Sequence, residues 1–322
     1  MNILIVGFGS IGQRHLQNLL DNYPNNKYYV LKKPHYNNVI KDCQVVSNDL
    51  ADYYKDVAFI DSIDDIDYMD TAFICNNTSD HLATALKLSK QNINLFIEKP
   101  LSHNSKDLDS LKKNLEQNKS IMMIGFQTKF NPIYLKLQKL IENEKITFVN
   151  SKWLTYLPNW HKYEDYKKSY TANESLGGGV ALTLVHELDM LNSLFGSLEL
   201  INSISGNFSN LDIKADDYLM ANFKSQNRAI NLHLSFAQVK EERTITINSS
   251  DKTIVGDFVN NTIEIYYKDE VKLINFELER NKLFKDEVEY FFKSISNKGN
   301  CINTIDESIE LQLLIDKMKE NI

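Results

Sequence analysis

The sequence predicts an α/β protein in two parts, a doubly wound parallel sheet followed by a strand-rich half with a largely antiparallel sheet. Three observations predict it. Short apolar runs alternate with helically spaced segments over residues 1–125, a glycine-rich turn follows the first run, and strand-like alternation dominates from residue 145 onward. At 322 residues the chain exceeds the length at which one hydrophobic core usually stops growing, so two domains are expected, 1–125 and 126–322.

Residues 3–6, 28–31, 57–60, 71–75, 95–97 and 121–124 read as buried parallel strands. Residues 15–21, 81–91 and 106–118 carry helical spacing between them, and this order places a ligand crevice at the carboxyl ends of the strands. A helix over 132–142 precedes the change of texture. Residues 145–157 and 198–276 are then rich in alternating Ile, Phe, Tyr and Thr, as in 218–223, 229–236, 244–248 and 262–267. One apolar helix over 180–194 interrupts these strands and stops before Gly196, and helices over 281–296 and 306–319 close the chain. No linker or repeat separates the halves, so they are expected to dock directly across a cleft.

The formal net charge of -7 and pI near 5.6, with no long Lys/Arg run, argue against a nucleic-acid partner. Cys43, Cys75 and Cys301 have no metal-ligand spacing, so no metal site is expected and a reducing compartment fits. Met1 to Val6 lead straight into Gly7 without the basic start of a secretory signal, and no apolar run approaches the roughly 20 residues that span a bilayer. A cytoplasmic protein without a membrane partner is the expectation.

Gly7-Phe8-Gly9-Ser10-Ile11-Gly12 follows the first strand and opens the first helix, the context in which GxGxxG binds a dinucleotide pyrophosphate. Gly7 permits the turn, Gly9 lets the anion approach, Gly12 lets helix and strand pack, and Ser10 and Ile11 stand at the helix N-terminus facing the anion. Leu31-Lys32-Lys33-Pro34 stands where an NAD enzyme usually offers a carboxylate to the ribose. Lys32 would attract a 2'-phosphate, which favours NADP over NAD; the alternative is a solvated surface lysine. Asn76-Asn77-Thr78-Ser79-Asp80-His81 enters the same crevice. Asn76 and Thr78 are candidate cofactor contacts, Thr78 or Ser79 a helix cap, and His81 a cofactor contact or a packing residue. Glu98-Lys99-Pro100 sets Lys99 at the carboxyl end of the next strand, and Gly125-Phe126-Gln127 follows the one after, so Glu98, Lys99 and Gln127 join the cofactor set.

GFGSIG at 7–12, EKP at 98–100, GFQTKFNP at 125–132 and LGGGVALTLVHELD at 176–189 occur in this order across both halves. The chain thereby resembles the Gfo/Idh/MocA family of glucose-fructose oxidoreductases and inositol dehydrogenases. The resemblance implies an N-terminal Rossmann domain, a C-terminal α/β domain with an open, mostly antiparallel sheet, and NAD(P)-dependent oxidation or reduction of sugars, inositols or their derivatives. It makes Lys99 the acid/base residue, matches His186 to the family's histidine, and matches Asp189 to the acid that follows. Many members carry an Asp three or four residues before that histidine; this chain has Leu182 and Thr183 there, so the proton relay is incomplete and Thr183 is taken as a substrate contact.

Residues 156–170 are unusually aromatic and polar, a mixture suited to the C–H faces and hydroxyls of a sugar, and resemble the stretch before the glycine run in members linked to surface-sugar metabolism. Trp160, His161, Tyr163 and Tyr166 are the substrate-side candidates, with a packed loop cover as the alternative. In the leading reading hydride passes between a substrate carbon and the nicotinamide, Lys99 exchanges the hydroxyl proton and His186 assists. Such a lysine needs desolvation or a neighbouring cation to lower its pKa. Two other readings stay open, a glycosidase using NAD for transient oxidation and a silent nucleotide-binding sensor. Ile230, Leu232 and Leu234 form one side of a strand that needs a cover, which points to a homodimer or homotetramer.

Overall fold

The computed structural model describes residues 1–33, 36–41, 44–161, 163–299 and 301–320; Pro34 and Cys43, named above, lie outside the described residues. The first half runs β1 (Asn2–Val6), α1 (Ser10–Asn22), β2 (Lys27–Leu31), a small antiparallel pair β3 (Val39–Lys41) and β4 (Gln44–Ser47), α2 (Leu50–Tyr53), and β5 (Ala58–Ile60). It continues with β6 (Thr71–Ile74), α3 (Thr78–Leu88), β7 (Asn94–Glu98), α4 (Leu108–Asn118) and β8 (Met122–Gly125). Six of these strands form a parallel sheet in the order β5-β2-β1-β6-β7-β8, as the alternation of apolar runs and helices predicts.

The second half runs α5 (Pro132–Ile141), β9 (Ile146–Tyr156), α6 (Val180–Thr183), α7 (His186–Phe195), β10 (Glu199–Gly206), β11 (Tyr218–Ser225), β12 (Arg228–Ser235) and β13 (Ala237–Ser249). Strands β14 (Thr253–Asp257), β15 (Thr262–Tyr266) and β16 (Val271–Asn275) and helices α8 (Arg280–Asn297) and α9 (Ile305–Glu320) complete it. The eight strands form one open sheet, β10-β11-β12-β9-β13-β14-β15-β16, antiparallel except between β12 and β9. Among the described residues no helix is long and apolar enough to cross a membrane.

Side-chain alternation along β1 sends Ile3 and Ile5 to one face of the parallel sheet and Leu4 and Val6 to the other. The first face is closed by α8, whose Val288, Phe291 and Phe292 pack with Phe73 and Phe96, so the end of the chain returns to cover its beginning. The second face continues into the core of the open sheet through α5, α7 and α9.

Two expectations change. Ile230, Leu232 and Leu234 are fully buried beneath this chain's own helices, so their cover is intramolecular. Alternation shows which residues share a face, but the helices decide which face they cover. The outward face instead carries Phe148, Ile201 and Ile204, with a row of Asn202, Asn222, Asn231 and Asn150 across four strands. The single helix over 180–194 is in fact α6 and α7, broken at Leu184 and Val185. Lys99 explains the break: its Nζ donates to the Thr183 carbonyl at 2.7 Å. In an unbroken helix the Glu187 N–H would take that carbonyl; here it bonds Leu184 O instead.

Candidate functional site

A cleft of about 1100 Å³ opens between the carboxyl ends of the parallel strands and the second sheet. At its first end lies the glycine turn. Gly7 has φ +90°, and a Cβ there would stand 2.4 Å from Asn76 N, while a Cβ on Gly12 would meet Gly7 O at 2.1 Å; both are fixed by packing. Gly9 differs, because a Cβ there would meet nothing within 4 Å and would project into open space at the start of α1, whose cap carries no side-chain bond. Bare backbone at a helix N-terminus is what a pyrophosphate requires. Ser10, Ile11, Asn76, Thr78 and Lys32 line the same end. Asn76 Nδ2 donates to Thr84 Oγ1 at 2.9 Å, and its buried Oδ1 has no protein partner. The residues present therefore fit a dinucleotide.

Several neighbours brace this end. The cap of α3 is Asn77, and Thr78 is its first helical residue, so neither Thr78 nor Ser79 caps it as expected. His81 is buried with Nδ1 2.8 Å from Pro100 O and Nε2 3.0 Å from Asn76 O, tying two crevice loops together. Glu98 also lines the cleft, yet its Oε1 is engaged by His15 Nε2 at 2.7 Å. Lys32 Nζ lies 3.4 Å from Asn37 Oδ1 at the cleft edge. Gly12 stays behind the turn, outside the lining.

Lys99 stands at the middle of the cleft, half-buried, with Thr183, His186 and Gln127 around it. Burial pulls its ammonium down to about 8; Arg243 pushes the same way, and Glu98 and Glu187 oppose. An amine in that range can give or take a proton near neutral pH. His186 opens α7 and is almost fully buried, with its ring against Phe126 and Trp153. Burial first, then Lys99, Arg243 and Arg280, hold it well below the usual histidine range, so the imidazole is neutral. Its Nδ1 and the Thr183 hydroxyl are both buried without protein partners beside Lys99.

The far wall is aromatic. Trp153 and Trp160 stack with centroids 6.3 Å apart, Trp160 Nε1 donates to Thr155 Oγ1 at 2.8 Å, and the His161 and Tyr163 rings stack at 5.3 Å. His161 Nδ1 lies 2.9 Å from Glu164 Oε1. Tyr166 is not brought to the cleft; it packs half-buried against the core. Asp189 also faces away, pairing with Lys129 at 3.2 Å, and burial lifts its carboxyl to about 6 against that cation. Sequence reasoning missed Trp153, Tyr170, Arg243 and Glu187. Glu187 lay inside the quoted glycine-run motif and Tyr170 inside the aromatic stretch 156–170; Trp153 and Arg243 carried no signal beyond strand composition. Among the described residues no group of His, Cys, Asp and Glu is gathered as a metal site.

A parallel doubly wound sheet with a bare glycine turn, facing a mostly antiparallel sheet across a cleft, defines a protein of the nucleotide-binding Rossmann class. Residues 1–126 match the oxidoreductase family model described as an NAD-binding Rossmann fold, GFO_IDH_MocA. The match lies within the first half of the chain, so it is the nucleotide-binding part that is similar to the Gfo/Idh/MocA oxidoreductases. A myo-inositol 2-dehydrogenase of Thermotoga maritima is 26% identical over 129 residues, 40% of this chain and 36% of that relative's length. The whole fold is similar to that of a levoglucosan dehydrogenase in complex with NADH, with TM-score 0.84, 15% identity, and coverage of 100% of this chain and 96% of that one. A UDP-N-acetylglucosamine 3-dehydrogenase, GnnA from Acidithiobacillus ferrooxidans, gives TM-score 0.80 at 17% identity, covering 100% and 97%. At such identities the likeness is one of fold.

The contrast between two glycines is testable. Gly9→Ala should keep stability within about 1 kcal/mol of wild type while weakening dinucleotide binding roughly tenfold or more. Gly12→Ala should cost roughly 1–3 kcal/mol of stability. Urea unfolding and calorimetry separate the two, and a Gly9→Ala protein that binds dinucleotide normally would contradict the assignment.

Proposed function

We propose that this protein is an NAD(P)-dependent oxidoreductase moving hydride between the nicotinamide and a hydroxyl or carbonyl carbon of a sugar or nucleotide-linked sugar. The carrying observation is Lys99, set beside a neutral His186 and two unpartnered polar atoms, in the same cleft as the bare glycine turn. The printed names of its relatives name an inositol, levoglucosan and UDP-N-acetylglucosamine, all polyhydroxylated rings, which supports a sugar-like substrate.

Residues 1–125 hold the cofactor, through Gly7, Gly9, Ser10, Ile11, Asn76 and Thr78, and residues 126–322 supply most of the substrate side. When bound, the nicotinamide accepts or donates the hydride. Lys99 in its neutral form takes the hydroxyl proton during oxidation and, as ammonium, returns it during reduction; the Thr183 carbonyl keeps its Nζ in place. His186 accepts or donates a hydrogen bond at the substrate hydroxyl without changing charge. The Thr183 hydroxyl stands where the family resemblance implies an Asp, so it orients the substrate and Lys99 handles the proton alone. Trp153, Trp160, His161 and Tyr163 give the sugar ring an aromatic wall. Lys32 and Lys33 at the cleft edge favour a 2'-phosphate, hence NADP. A reducing, cytoplasmic setting suits the buried free thiols of Cys75 and Cys301.

Lys99→Ala should cut turnover about 100- to 10,000-fold while binding dinucleotide like wild type, with NADP held at least as tightly as NAD in both proteins. In the wild type, oxidation should rise with pH through a limb near 8, because only the neutral amine accepts the proton; the variant should lack that limb. Near-normal kcat in Lys99→Ala would move the role to His186, and calorimetry showing NAD binding alone would remove the NADP assignment.

A second copy of the chain is the occupant proposed for the outer sheet face, where Phe148, Ile201 and Ile204 are exposed beside the asparagine row. Light scattering at micromolar concentration should give a dimer or tetramer, and Phe148→Glu should dissociate it. A wild-type monomer would contradict the proposal.

A further inference from the structure

Immediately after His186, Glu187 turns away from the cleft and is 1% exposed. Its carboxylate takes both Nε and Nη2 of Arg243, at 2.6 and 3.3 Å, and Nη2 also donates to Thr128 Oγ1 at 3.2 Å. The guanidinium lies 4.0 Å from the Trp153 ring centroid and 5.0 Å from that of Phe258. Trp153 in turn stands 6.3 Å from both the His186 and Trp160 rings. A buried pair of this kind seldom adds stability over apolar residues of similar volume, so fold stability alone gives little reason for it. Its position does. The pair sits directly behind the aromatic wall, with one member on the helix that carries His186 and the other on β13.

We propose that Arg243 and Glu187 are positioning residues of the site: they set the charge around Lys99 and clamp the Trp153 ring as the surface on which the substrate ring lies. This rests on the oxidoreductase reading above. The charged and titratable groups whose fields act at Lys99 are Glu98 from β7, Glu187 and His186 from α7, and Arg243 from β13, while Arg280 of α8 acts on His186. Arg243 disfavours the ammonium and Glu187 favours it, so removing each should move the Lys99 titration in opposite directions. A cation stacked on the back of an indole also restricts the ring, and the planar fork of Arg does this where a lysine cannot.

The test is the Lys99 titration read by NMR of 13Cε-labelled lysine in the protein without substrate, its signal assigned by its absence in Lys99→Ala, together with pH-rate profiles. Glu187→Gln keeps the shape and loses the anion, and should lower the Lys99 midpoint by about half a unit or more; Arg243→Gln should raise it by a similar amount. Arg243→Lys keeps the charge, and should leave the midpoint in place while raising KM several-fold with kcat largely retained. If Arg243→Gln does not fold, Glu187→Gln still decides: an unchanged or raised midpoint overturns the proposal. Shifts in the same direction from both charge variants would likewise overturn it. The NMR midpoints need no turnover, so absence of any nicotinamide-linked activity would sink the oxidoreductase reading while leaving the charge-setting role to be judged on its own.

Discussion

The bond from Lys99 Nζ to the Thr183 carbonyl holds the two halves of this site in register. It joins the end of a parallel strand to a helix in the other half, at the point where that helix is interrupted. With Thr183 O released from the helical ladder, Glu187 N–H falls back to Leu184 O and the next turn restarts with Asp189 N–H on Val185 O. The restart places His186 on the first turn of α7, beside the lysine. Close packing supports the same junction: Gly177 has φ +78°, and a Cβ there would stand 2.5 Å from Thr78 Cβ at the start of α3. The lysine, the broken helix and the tight glycine turn are one arrangement.

Around that junction α7 distributes its charges by angle. His186 faces the cleft, Glu187 faces Arg243 at the back of the wall, and Asp189 faces Lys129. Burial acts on all of them with the sign their charge dictates, lowering His186 and Lys99 and raising Glu187 and Asp189. The consequence is a site with a neutral imidazole and an amine near its midpoint, while the carboxylates of α7 are turned away from the cleft and paired. The absence of an Asp at position 182 or 183 fits this division, because the lysine is held by a backbone carbonyl.

Much of this was legible in the sequence, for physical reasons. Buried parallel strands need continuous apolar runs, a dinucleotide turn needs glycine, and strand ends deliver crevice residues, so the parallel sheet, Gly7 to Gly12 and Lys99 could be placed from local signals. The helix break could not. Residues 180–194 keep helical spacing without Gly or Pro, and the cause of the break lies 84 residues away in Lys99. Arg243 and Trp153 looked like ordinary strand residues because a strand's sequence gives its two faces but not what stands opposite each. The same ignorance assigned Ile230, Leu232 and Leu234 to an outer face that they do not occupy. Tyr166 was grouped with the cleft aromatics on composition, whereas the short turn that carries it points the ring inward.

The central claim, that this cleft passes hydride between nicotinamide and a sugar carbon, is tested most directly by nicotinamide absorbance. Purified protein is mixed with NADP or NAD and a panel of free sugars, inositols, nucleotide-linked sugars and aryl glycosides. The account predicts stoichiometric, then catalytic, appearance of reduced cofactor with at least one polyol or sugar, faster above pH 8 than below it. Release of the aryl group with no net change in the cofactor, or no absorbance change with any member of the panel, would contradict it.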